Sequence, residues 1–63
     1  MKDISTQFLN ERGNAIEMRV EDKDIESHQG VLITITGPNS DTTIHITRLE
    51  AETLLQQLSS ALQ

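Results

Sequence analysis

Four stretches of this chain alternate apolar and polar side chains with a period of two, and each holds most of its apolar members to one parity. A strand turns successive side chains to opposite faces, so this pattern specifies half-buried strands. Ile4 and Phe8 occupy even positions, and Ile16, Met18 and Val20 resume the same parity after a polar break. Val31, Ile33 and Ile35, then Ile44 and Ile46, mark two further runs rich in β-branched residues, which suit a pleated surface. The alternation predicts strands over residues 3–9, 14–21, 30–37 and 42–47.

The breaks between the runs predict how the strands join. Asn10-Glu11-Arg12-Gly13-Asn14 suits a three-residue hairpin loop with Gly13 in the left-handed conformation. That loop places Phe8 opposite Ile16, Thr6 opposite Met18 and Ile4 opposite Val20, so the apolar members share one side of the hairpin. Gly37-Pro38-Asn39-Ser40-Asp41 is dense in turn formers. A four-residue loop over 38–41 would set Ile35 against Ile44 and Ile33 against Ile46. Residues 21–29 read as an acidic loop in which only Ile25 offers an anchor.

Thr47-Arg48-Leu49-Glu50 has the form of a capping box, in which a threonine oxygen and a glutamate side chain satisfy each other's backbone amides. A helix over about 48–62 follows. Ala51, Leu54, Leu55, Leu58, Ala61 and Leu62 recur along it at three- and four-residue spacing, the spacing of a stripe that needs an apolar partner surface. The isoleucine face of the sheet is the one surface in the chain large enough to receive it. The expected fold is α+β: a four-stranded antiparallel sheet, two hairpins in a meander, with one C-terminal amphipathic helix packed on one face, ββββα. Residues 1–63 are expected to form a single small domain.

Charge narrows the function classes. Ten acidic residues against five basic ones give a net charge of −5, which opposes binding to a phosphate backbone. The basic residues Lys2, Arg12, Arg19, Lys23 and Arg48 are scattered, so neither nucleic acid nor an anionic membrane is an expected partner. Phe8 is the only aromatic residue and its parity places it in the core, leaving no platform on which bases would stack. The start of the chain, MKDISTQF, lacks the apolar stretch of a signal peptide. A cytoplasmic location is expected, without disulfides because the chain has no cysteine.

Candidate chemistry is sparse. Asp22, Asp24, Glu26 and His28 alternate as calcium-loop ligands do. An EF-hand wants glycine at its sixth position and glutamate at its twelfth, where counting from Asp22 reaches Ser27 and Ile33. His28 and His45 lack the cysteines of a usual zinc set. Gly13, Gly30 and Gly37 are isolated, so there is no phosphate-binding loop. No catalytic residue, metal or cofactor is expected.

These readings converge on a small acidic protein-binding module, a regulator or inhibitor that occupies a larger partner with a basic surface. The expected contact residues are Glu21, Asp22, Asp24 and Glu26 in the acidic segment, with Leu32, Thr34 and His45 on the second face of the sheet. The alternative is a homo-oligomeric assembly protein, a homodimer in its simplest form. A metal-binding protein or small enzyme ranks behind both.

Overall fold

A computed structural model describes residues 2–63. It contains β1 (Asp3–Leu9), β2 (Ala15–Asp22), β3 (Gly30–Thr36), β4 (Asp41–Thr47) and α1 (Arg48–Ala61). The strands form one antiparallel sheet in the order β1-β2-β3-β4, and the helix packs against it, giving ββββα.

The first hairpin takes the register that its loop dictates. Phe8 pairs with Ile16, Thr6 with Met18 and Ile4 with Val20. Gly13 has φ of 80°, a conformation that costs glycine little. Asn10 organises the loop: its Oδ1 accepts from the amides of Arg12 at 2.9 Å and Asn14 at 3.0 Å. Its own amide donates to the Asn14 carbonyl at 3.0 Å.

Two expectations need correction. Asp22 belongs to β2 and not to the loop, and Glu21, where the expected strand and loop met, belongs to the strand: Glu21 pairs with Asp3 on one side and Leu32 on the other, and Asp22 pairs with Val31. Ladder bonds to both neighbours hold these residues extended although acidic side chains have little preference for strands. The second hairpin is displaced by two residues, so that Ile33 faces Ile44, Val31 faces Ile46 and Ile35 faces Thr42. Its loop is Gly37 to Ser40, closed by Gly37 N–H donating to the Ser40 carbonyl at 2.8 Å. The loop keeps four residues but starts one position earlier, which leaves Pro38, with no amide to give, near its tip, and lets Asp41 join the ladder opposite Thr36. A shift of two preserves the side-chain period, so the same residues stay on the same face.

One face of the sheet therefore carries Ile4, Phe8, Ile16, Met18, Val20, Val31, Ile33, Ile35, Ile44 and Ile46, interrupted by Thr6 and Thr42 and bordered at one end by Asp22. The helix begins as its capping box requires: Thr47 Oγ1 accepts from the Glu50 amide at 3.3 Å, and Glu50 Oε1 accepts from the Thr47 amide at 2.9 Å. It packs against β3 and β4 and does not reach β1 or β2. Ala51 and Leu54 are half-buried, whereas Leu55, Leu58 and Leu62 stay exposed. Contact is thus confined to the first two turns of the stripe.

Among the described residues only Gly30 is buried. A Cβ on it would lie 2.7 Å from the Lys23 carbonyl oxygen and 2.9 Å from that of Ile46. Both obstacles are backbone, so the strands would have to part. Gly30→Ala is expected to destabilise the fold by about 2 kcal/mol, as overpacking does. Gly37→Ala, which would meet nothing nearer than 3.7 Å, should stay within about 0.5 kcal/mol of the parent. Paired urea titrations check both.

Candidate functional site

The segment joining β2 to β3 is a structured turn. Lys23 N–H donates to the Gly30 carbonyl at 3.0 Å, extending the β2–β3 ladder by one pair. Beyond it, Ile25 and His28 exchange both backbone hydrogen bonds, at 2.9 and 2.8 Å, enclosing Glu26 and Ser27 as a two-residue loop. Such loops favour positive φ because only then does their twist match the strands. Glu26 meets that demand with φ of 55°, a strained value for a residue with a long side chain. Ile25 folds back over Gly30 and is half-buried, the anchor that the segment offered.

His45 ties this turn to the sheet. Its Nε2 lies 2.9 Å from the Lys23 carbonyl oxygen; a carbonyl can only accept, so this nitrogen carries the proton. His45 stands directly opposite Leu32, and Leu32 opposite Glu21, so the three form one row across the polar face. Thr34 lies in the next row, between Arg19 and Thr43. Asp24 and Glu26 sit in the turn beyond the row. Asp22 belongs to the other face by its pairing with Val31, and its Oδ2 accepts from the Lys2 amide at 3.2 Å. Six of the seven expected contact residues therefore lie at one end of the sheet, Thr34 stands nearer its middle, and Asp22 is turned away from Glu21, Leu32, Thr34 and His45. Asp22 and Asp24 share a shallow depression with Gln29, Gly30, Val31 and Arg48.

Sequence reading missed an ionic cluster on the polar face. Arg19 holds Asp3 through two hydrogen bonds, Nη2 to Oδ2 at 2.7 Å and Nε to Oδ1 at 3.1 Å. Its Nε also lies 3.2 Å from Glu21 Oε1. Nearby, Glu17 Oε2 accepts from Ser5 Oγ at 3.0 Å and Gln7 Nε2 at 3.4 Å. The signal was present: the register that sets Ile4 against Val20 also sets Asp3 against Glu21, a like-charge pair that calls for a cation on the diagonal.

The Arg19 hydrogen bond holds the Asp3 carboxyl below its ordinary value of 3.8, against the opposing effect of desolvation and with the Arg19 charge adding to the lowering. The Asp3 hydrogen bond and the Asp3 and Glu21 charges push Arg19 up. Among the described residues, no three or more of His, Asp and Glu gather as a metal-holding group. No helix among them is long and apolar enough to cross a membrane. No protein-family model, curated protein or solved structure matches the chain.

A carboxylate held below its unfolded value stabilises the fold above that unfolded value, and the contribution fades as pH falls through the folded one. The Asp3 share of stability is thus complete at neutral pH and is lost on acidification below 3.8. Arg19→Gln should raise the Asp3 carboxyl toward 3.8 and remove that share, read from the Asp3 side-chain carbon shift in an NMR titration. An unmoved Asp3 titration would show that Arg19 does not hold it in solution.

Proposed function

We propose that the chain is a small acidic, non-enzymatic protein-binding module of the cytoplasm, one that regulates or inhibits a larger protein by occupying a basic surface on it. The observation that carries this reading is Glu26: a carboxylate stands at the tip of a hydrogen-bonded turn, in a conformation that glycine would adopt without strain. Strain of this kind persists where the side chain has a use.

The surroundings support it. Across residues 21–26 there are four carboxylates and one lysine. Asp22, Asp24 and Glu26 make no ion pair with a side chain among the described residues. Carboxylates on an ordered turn lose little conformational freedom on docking. A net charge of −5 speeds encounter with a basic patch and disfavours acidic competitors. Leu32, Thr34 and His45 on the adjoining polar face of the sheet add apolar and hydrogen-bonding contact area. A second reading, assembly of identical chains, is favoured by the open apolar face. The two are compatible because Leu32, Thr34 and His45 lie on the opposite side of the sheet.

Two variants test the module reading, by recovering the chain with its partner from native lysate at low salt. Asp24→Lys combined with Glu26→Lys should abolish a complex that the parent forms and that salt releases. Glu26→Gly should raise stability by up to about 1 kcal/mol as left-handed strain is relieved, yet weaken the complex. A complex equally strong with both variants would remove the acidic turn from the contact.

A further inference from the structure

We infer that the apolar face of the sheet and the distal half of the helix are closed by a second copy of this chain, in a two-fold symmetric dimer. The first ground is area. A folded monomer of 7.1 kDa exposes about 4,100 Å², whereas this chain exposes 5350 Å². The excess of about 1,250 Å² exceeds the roughly 800 Å² that each partner contributes to a stable interface. The radius of gyration, 13.1 Å, is what a domain of about 100 residues has, and the chain has 63.

The excess has a location. On the sheet, Ile4 is 63% exposed, Phe8 and Met18 are 43%, Ile44 is 40%, Ile35 is 39% and Val20 is 38%, and all six project from one face. On the helix, Leu55 is 64% exposed, Leu58 50% and Leu62 84%. Taking about 200 Å² for a large side chain, the sheet residues offer about 500 Å² and the leucines about 400 Å². Together they meet the area that each partner needs.

The occupant follows from complementarity. Each chain has a sheet face that its own helix leaves open over β1 and β2, and a leucine stripe that its own sheet leaves open after Leu54. A helix stripe and an apolar sheet face are mutual partners, so each copy carries what the other lacks. A two-fold axis satisfies both contacts at once and leaves no surface free for further addition. Charge agrees over most of the patch: Ile4 to Phe8, Ile16 to Val20, Val31 to Ile35 and Thr42 to Ile46 put no ionisable side chain on this face, and among the strand residues Asp22, at the end of β2 opposite Val31, is its one carboxylate. Two copies, each of charge −5, can thus meet without opposing carboxylates over the Ile4, Phe8, Met18 and Val20 patch, with Asp22 at its edge. A basic partner would find a counter-charge only at that edge.

Sedimentation equilibrium of the whole chain is expected to give twice 7.1 kDa, and the thermal midpoint should rise with protein concentration, as for a folding equilibrium linked to association. Met18→Lys and Leu58→Asp should each weaken association at least about 30-fold, the loss seen at interface hot spots. Thr34→Lys, on the polar face, should leave it within about 3-fold. If the charged variants unfold, the concentration dependence of the unaltered chain carries the test. A mass of 7.1 kDa with a fixed midpoint overturns the inference. So does a mass that climbs without limit, or a Thr34→Lys variant as weakened as Met18→Lys.

Discussion

The seam between β2 and β3 is the contact on which the arrangement of this molecule depends. Each hairpin closes on itself through a local loop, whereas β2 and β3 are joined by the whole of the Lys23 to Gln29 turn and meet along six paired positions. That pairing puts the isoleucines of the second hairpin beside Met18 and Val20 of the first, making one apolar face out of two short ones. The same pairing aligns Glu21, Leu32 and His45 in a row, and the continuation through Lys23 and Gly30 brings a carbonyl within reach of His45. Gly30 sits at the end of the seam, where three backbone segments converge too closely for a side chain.

Local physics was legible in the residues and nonlocal registration was not. The Asn10 to Asn14 loop and the Thr47 to Glu50 capping box are decided by side chains within a few positions, and both took the expected form. The second hairpin slipped by two because Gly37-Pro38-Asn39-Ser40-Asp41 offers several sites for a reversal, and periodicity cannot tell registers of equal parity apart. Asp22 read as loop because acidic composition outweighed its pairing with Val31 of the third strand. For the site, residue types were visible and juxtapositions were not. The Arg19 bond to Asp3 and the His45 bond to Lys23 span 16 and 22 positions of chain, and the strain at Glu26 arises from a turn two residues long.

The two faces of the sheet divide the work of solvation. One gathers Asp3, Glu17, Arg19, Glu21 and His45, several of them knitted by hydrogen bonds across strands. The other is free of charge over most of its extent. A sheet covered by one short helix cannot shield its second apolar half, and a helix of 14 residues spans about 21 Å, more than its two packed turns use. Folding and association are for that reason expressions of one hydrophobic demand in this chain.

The strict parity of the strands also sets a rule for insertions and deletions. One residue added to the Gly37 to Ser40 loop or to the Lys23 to Gln29 turn lengthens a connection and leaves every side chain on its own side of the sheet. One residue added between Val31 and Ile35 either buckles the strand into a bulge or exchanges the faces of everything beyond it. The coding frame of the molecule is thus doubled: nucleotides must be counted in threes everywhere, and amino acids in twos wherever a strand runs.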